Sequence, residues 1–329
     1  MITVAPPDRG AVDMHVHLVG NGLSGSGCWL RPGFLHRFMA DWMLRQIGLD
    51  VSWRAPEFDA AYVELVARLV RESPLSHAVL LGHEEVYDSS GTKLKFGSFH
   101  IPNDYLFAVC REHPQLLPAV SIHPARADAM EELERCLEAG AVMLKFLPNC
   151  HNIDTRLPQY RRFWERMASA RLPLLAHTGG EHTVPQIDKS LADPATLTGA
   201  LDCGVNVIAA HCATKSGLTD PNYIPVLVEM MGRYPNLHAD LSALNLPLRS
   251  AGLKFMLAHP ELHDRLFHGS DFPVPVQPFW AKLRKIITSA NAKQSKGMKN
   301  LIARDFYLKK VMTFPDRVFT GVWDLLRVA

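Results

Sequence analysis

Short apolar runs alternate with amphipathic stretches along most of the chain. The runs fall at 77–83, 117–123, 141–147, 172–177, 205–211, 237–241 and 265–270. Each is short and nearly continuous, as expected for strands buried on both faces. An earlier run at 10–19 differs, because polar residues occupy every second position from Asp13 to His17. Side chains of a strand point to opposite faces in turn, so Asp13, His15 and His17 are expected on one face and Met14 and Val16 on the other. Between the runs, apolar residues recur at helical spacing over 59–72, 103–113, 127–139, 159–171, 194–203, 223–234 and 251–258. Several of these stretches close on Gly or Pro, at Pro114, Gly140, Gly204 and Pro235, which is how helices commonly end. A further helical region begins near 278.

Eight strands, each followed by a helix over roughly 260 residues, predict a closed (β/α)₈ barrel. An open doubly wound sheet is the alternative. No Gly-x-Gly-x-x-Gly turn follows the first strand, which disfavours it. The whole chain, 1–329, reads as one barrel domain with two departures. Residues 20–58 form an insertion, glycine-rich at 20–27 and helical at 34–47, expected to cap the end of the first strand. The glycine-rich stretch lacks a Gly-Lys-Ser/Thr ending, so it is not read as a phosphate cradle. Residues 84–102 are long for a strand-to-helix loop and are expected to overhang the barrel as a lid.

Composition narrows the class. The chain has 329 residues, 47% hydrophobic and 21% charged, with a formal net charge of +2. That is an ordinary globular balance, and basic residues are interspersed with acids, so neither nucleic acid nor a membrane surface is an expected partner. No apolar run approaches the roughly 18 residues of a membrane span. The first nine residues show no secretory leader pattern. The six Cys form no Cys-x-x-Cys pair and read as reduced, packed thiols of a cytoplasmic protein. The expected partner is a small-molecule substrate. Self-association into a homo-oligomer stays open.

In such a barrel the active site lies at the C-terminal ends of the strands. The first strand ends in His15 and His17, the fourth carries Lys145, the fifth ends at His177, the sixth at His211, and the eighth at Ser270-Asp271. Neutral imidazole is the commonest metal ligand, and two imidazoles two residues apart on one strand can reach a single ion. With 16 His in the chain, one such pair could be chance. Five strands delivering His, Lys or Asp to one barrel end are harder to dismiss. Lys145, within an apolar strand end, would be desolvated and its pKa lowered, so that its neutral amine could react with carbon dioxide. Further polar residues sit near the same end: His83, His123, His151, His182, Asp13 as an orienter of a ligand, Asp240 and Ser242. Cys150 and Cys212 are expected to pack rather than react.

The ordered set His-x-His, Lys, His, His, Asp resembles the amidohydrolase superfamily, and its wording is closest to the amidohydrolase-2 branch of metal-dependent hydrolases and decarboxylases. The segments that carry the resemblance are Val12-Asp-Met-His-Val-His17, Gly140-Ala-Val-Met-Leu-Lys-Phe-Leu-Pro148, Leu174-Leu-Ala-His-Thr-Gly179, Ile208-Ala-Ala-His211 and His268-Gly-Ser-Asp-Phe-Pro273. The resemblance implies one or two divalent ions, with zinc the first expectation. It implies that His15, His17 and Asp271 bind a metal, and that His177 completes that site or helps hold a second ion. His211 would bind a second ion or act as acid/base beside a single one. Asp271 would also take the proton of a metal-activated water. For Lys145 three roles stand open: a carboxylated bridge between two metals, a cation for a substrate carboxylate, or a structural ion pair.

Three functions follow. The first is a metal-dependent hydrolase cleaving a C–N or C–O bond of a small carbonyl compound such as an amide, lactone or ester. The second is a non-oxidative decarboxylase or hydratase of an unsaturated or aromatic carboxylic acid. The third is a non-catalytic binding protein on the same barrel, against which the complete ligand set argues.

Overall fold

A computed structural model of the chain describes residues 9–328. The leader-free reading of the chain start concerns residues 1–8, which lie outside the described residues. Eight strands form one parallel sheet in sequence order: β1 Val12–His17, β2 His77–Leu81, β3 Leu116–Val120, β4 Met143–Phe146, β5 Leu174–Ala176, β6 Val207–Ala209, β7 Leu237–Asp240 and β8 Leu266–Phe267. The sheet curls until its edges meet. Met14 N donates to His268 O at 3.0 Å, Asp271 N to His15 O at 2.9 Å, and His17 N to Phe272 O at 2.8 Å. The expected (β/α)₈ barrel is thus present, closed by the residues just past β8.

Alternation along the strands separates two apolar cores. Leu175 and Ile208 pair across β5 and β6 and point into the barrel, while Leu174, Ala176, Val207 and Ala209 face the surrounding helices. Lys145 pairs with Leu175 in register and is flanked by the outward Leu144 and Phe146, so it too points inward. The outer layer is amphipathic as predicted. Helix Phe58–Arg71 buries Phe58, Tyr62, Leu65, Val66 and Leu69 on one face, the spacing that sequence periodicity reports. The floor of the barrel was not foreseen. Beyond helix Arg317–Thr320, Val322, Trp323 and Leu326 pack against the inward Val12, Met14 and Phe267. Trp323 donates its indole N–H to Gly10 O at 2.9 Å.

Both departures from the barrel lie over its other end. The glycine-rich loop of the insertion folds around a buried carboxylate: Asp59 accepts from Asn21 N at 2.6 Å, Gly22 N at 3.2 Å and the Ser26 hydroxyl at 2.5 Å. Two of the loop's N–H groups, those of Asn21 and Gly22, are thereby spent on this internal carboxylate. Gly22 has φ +77°, and a Cβ there would lie 1.8 Å from Cys28 O, so glycine is required. The expected helix follows at Phe34–Gln46. Within the insertion, Trp29–Leu30 pairs antiparallel with Phe99–His100 of the long loop after β2. Cap and lid are thus joined into one ribbon across the mouth. No helix among the described residues is long and apolar enough to cross a membrane. All six Cys are free, Cys203 half-buried and the others buried.

Strand β1 corrects one expectation. Its pairing with β2 shifts register between Asp13 and Val16. Val12 and Met14 belong to the inner core, whereas Val16 belongs to the outer one. Strict alternation would then turn His15 outward. The bulge resets the phase, so that His15 and His17 both reach the cavity at the strand end. Bulges of this kind commonly re-aim side chains beside active sites. Asp13 does not share their function: its Oδ1 accepts from His15 N at 3.1 Å and Ser270 N at 2.8 Å, tying β1 to the β8 end.

Candidate active site

A pocket opens at the C-terminal end of the barrel and holds about 1070 Å³ of empty space, part of it open to solvent. At its base stand His15, His17, Lys145, His177, His211 and Asp271, all six residues singled out from the sequence. Each arrives by a different local route. His15 and His17 come from the bulged end of β1. Lys145 is an inward residue of β4. His177 follows β5, and its N–H donates to Phe146 O at 3.1 Å. His211 is not on a strand: β6 stops at Ala209, and His211, Cys212 and Ala213 adopt φ values of 59°, 48° and 52°. Three consecutive left-handed residues other than glycine cost about 1–2 kcal/mol each, a strain that surroundings must enforce and that clusters at functional sites. Asp271 has φ 66°. A Cβ on Gly269, just before it, would come within 2.7 Å of His15 Cβ, so the β8 end must be bare there to lie against β1.

Asp240, at the end of β7, organises this strain. One of its oxygens, Oδ2, lies 2.7 Å from His15 Nδ1. The other accepts from His211 N at 2.7 Å, Ser242 N at 3.1 Å and the Ser242 hydroxyl at 2.5 Å. Burial alone would raise its pKa, but the charge of His15 and these bonds outweigh it and hold Asp240 well below the usual carboxylate range. The tautomers follow from this arrangement. His15 Nδ1–H donates to Asp240, leaving the Nε2 lone pair facing the pocket. The Ser242 proton is committed to Asp240, so Ser242 Oγ accepts from His211 Nδ1–H at 2.8 Å, and the His211 Nε2 lone pair also faces inward.

The inward atoms converge. His15 Nε2 lies 3.1 Å and His17 Nε2 3.0 Å from the same Asp271 oxygen. His15, His211 and Asp271 each offer a ligand atom within 4.8 Å of the others. His211 Nε2 lies 3.2 Å from His177 Nδ1. The buried Nε2 of His177 has no hydrogen-bond partner, and the nearest carboxylate oxygen is Glu181 Oε2 at 3.6 Å. Two tests favour a divalent cation here. Donors bound tetrahedrally at about 2.0–2.2 Å from a metal sit roughly 3.4 Å apart, a few tenths beyond the spacing found. Buried lone pairs on His15 and His211 beside the Asp271 carboxylate, and an orphaned imidazole nitrogen on the neighbouring His177, are groups a cation would satisfy.

Three of the four histidines are held in the metal-binding form, and His15 is the exception. Burial pushes His17 and His177 below the usual imidazole value, and His211 well below it, so these rings are neutral, the form that binds metals. For His15, burial and the nearby Lys145 favour the neutral ring, but Asp240 and Asp271 outweigh them and raise it. Asp271 is driven well below the usual carboxylate range. Burial opposes this, but the charge of His15 and the contacts with His15 and His17 overcome it. Lys145 Nζ lies 3.4 Å from His15 Nε2, and burial pulls its pKa down to about 8. No carboxylate lies within ion-pair distance of Lys145 among the described residues, so the structural ion pair considered for it is not formed.

The remaining sequence candidates divide. Asp240 and Ser242 hold His15 and His211 as described. His83 and His151 face each other through their Nε2 atoms at 3.2 Å. His123 donates to His151 O at 2.9 Å, which makes it a bracing residue. His182 is paired with Asp220 at 2.9 Å, away from the pocket. Cys150 and Cys212 are buried with their thiol pKa values pushed well up by burial, consistent with packing. Glu181 was missed. It lines the pocket and accepts from Thr183 N at 2.5 Å, Val184 N at 3.0 Å and the Thr183 hydroxyl. An acid four residues after a strand-end histidine was the available signal.

The comparisons with known proteins accord with this geometry. No curated protein sequence matches the chain. Among solved structures, the chain is similar to an uncharacterized TIM-barrel protein from Bordetella bronchiseptica at 16% identity and TM-score 0.58, covering 92% of this chain and 99% of that one. It is similar to a putative 2-pyrone-4,6-dicarboxylic acid hydrolase from Pseudomonas putida at 16% identity and TM-score 0.51, covering 93% and 98%. It is also similar to a 5-carboxyvanillate decarboxylase from Sphingomonas paucimobilis at 12% identity and TM-score 0.51, covering 93% and 99%. At these identities the likenesses establish the barrel fold. The amidohydrolase family model matches residues 12–294, from the first strand through the last candidate ligand, and this chain therefore belongs to the amidohydrolase family.

Proposed function

We propose that the protein is a metal-dependent hydrolase that cleaves a C–N or C–O bond of a small carbonyl compound, an amide, ester or lactone. The observation that carries this reading is the meeting of His15 Nε2 and His17 Nε2 on one Asp271 oxygen at 3.1 and 3.0 Å, at the base of a pocket wide enough for a substrate. His15, His17 and Asp271 would hold a divalent ion, zinc by preference, with His211 and His177 beside it. Such an ion, when bound, polarises a carbonyl and makes water easier to deprotonate. Asp271 is ionised, so its carboxylate can accept the proton of the attacking water. Asp240 keeps His15 and His211 in the tautomers that present lone pairs to the pocket. Lys145 places a nitrogen on the same side, either as a cation toward developing negative charge or, carboxylated, as a bridge between two ions.

A second reading is non-oxidative decarboxylation. It is favoured by Lys145, a buried amine without a carboxylate partner, which would suit a substrate carboxylate. One structural neighbour is named as a hydrolase and another as a decarboxylase, so the shared barrel leaves the choice to the site. The deciding experiment incubates metal-loaded protein and Asp271→Asn with aryl and alkyl amides, esters and lactones, and separately with aromatic carboxylic acids, and follows products by NMR. Hydrolysis lost in Asp271→Asn supports the first reading. Release of carbon dioxide with no hydrolysis replaces it by the second.

A further inference from the structure

Above the polar base the pocket changes character. Its walls are apolar and come from several directions: Leu30 and Met43 from the insertion, Phe99 from the lid, Leu147 after β4, and Val184 and Val274 from later loops. Among the described residues no arginine lines the pocket, and Lys145, at the base, is its sole lysine. Of the two wall hydroxyls, that of Thr183 is already committed to Glu181, and that of Ser98 is a neutral group. A second anionic group on the substrate would therefore leave water without gaining a cationic partner, a substantial penalty. An apolar body would gain by burial against these walls.

We infer that the substrate is single-headed: one carbonyl group for the polar base, carried on an uncharged apolar body, alkyl or aryl, that fills the cavity between the cap and the lid. The inference rests on the hydrolytic reading only in taking a monocarboxylic acid as one product. The walls from the insertion and lid set this selectivity, and Met43, partly accessible on helix Phe34–Gln46, stands where the body would pass.

The test measures binding of product-like acids to the protein as purified with its metal, by calorimetry, without requiring turnover. The probes are acetate, octanoate, 4-phenylbutyrate and suberate. Each buried methylene multiplies affinity by about fourfold, so octanoate should bind at least roughly 30-fold tighter than acetate even when its chain is only half buried. Suberate should bind at least tenfold more weakly than octanoate. The ratio of octanoate to phenylbutyrate distinguishes an alkyl from an aryl body. Met43→Asp should weaken octanoate tenfold or more with metal content unchanged. Met43→Arg should strengthen suberate tenfold, a gain that misfolding cannot mimic. Suberate binding to the unaltered protein as tightly as octanoate, or octanoate no tighter than acetate, overturns the inference. If octanoate binds as expected but octanoyl amides and esters are not hydrolysed, the hydrolytic reading fails while the single-headed specificity stands.

Discussion

His15 and Asp240, 225 residues apart in sequence, are joined by a 2.7 Å contact between Nδ1 and Oδ2. Both are fully buried, and through this contact the end of β7 sets the orientation and tautomer of a candidate ligand on β1. The same carboxylate holds the N–H of His211. One residue outside the ligand set thus fixes two members of it.

Asp240→Asn should accordingly weaken metal binding by about 10–100-fold, the usual effect of removing the partner of a ligating histidine. The amide keeps the shape but offers only one acceptor oxygen to a site that uses two. Competition with a chelator of known affinity measures the change. Binding within twofold of the unaltered protein would remove Asp240 from this role.

Purified protein should contain at least one divalent first-row metal ion per chain, zinc by expectation, when prepared without chelator. Elemental analysis gives the content. Chelation should lower the unfolding temperature and the metal should restore it, because a ligand bound only by the folded state stabilises it. Under a tenth of an equivalent, with no thermal response to added zinc, manganese or iron, would oppose the prediction.

Asp271→Asn should fold and lose turnover of any substrate found. The asparagine side chain fits the left-handed backbone at this position but cannot take a proton from water. Activity within tenfold of the unaltered enzyme, a loss of only about 1.4 kcal/mol in transition-state stabilisation, would take Asp271 out of the mechanism.

Lys145→Ala separates one metal from two. A bridging carboxylated lysine predicts loss of the second ion, with partial rescue by bicarbonate or a short carboxylic acid. A substrate cation predicts unchanged metal content and a raised KM, without rescue. Metal stoichiometry and KM, measured on the same preparation, distinguish the two.

His123 should contribute to acid instability. Burial lowers its pKa from 6.5 to about 4, while in the unfolded chain it titrates near 6.5. Between these values the unfolded state binds the proton and the folded state does not, so stability falls as pH drops through this window. The full effect is on the order of 3 kcal/mol. Denaturant unfolding at pH 7 and pH 4.5 should show a smaller loss for His123→Gln than for the unaltered protein. Equal losses would exclude His123 as a source.

Much of this site was legible before any coordinates. Apolar runs alternating with helical periodicity indicate a parallel sheet covered on both faces, and eight such units in succession fit a closed barrel. The barrel in turn gathers strand ends, so His15, His17, Lys145, His177, His211 and Asp271 could be placed in one pocket from their positions after apolar runs. Other features were decided only by tertiary structure. Period-two alternation predicted one face for Asp13, His15 and His17, but a bulge is set by pairing with β2 and leaves no mark in the strand's own pattern. The left-handed turn at His211 depends on a carboxylate 29 residues away. Asp240 and the floor built by Val322 and Trp323 owe their roles to neighbours distant in sequence. Periodicity reports which face a residue presents to a layer. Which atom meets it there is settled when the ring of strands closes and brings β1 against the end of β8.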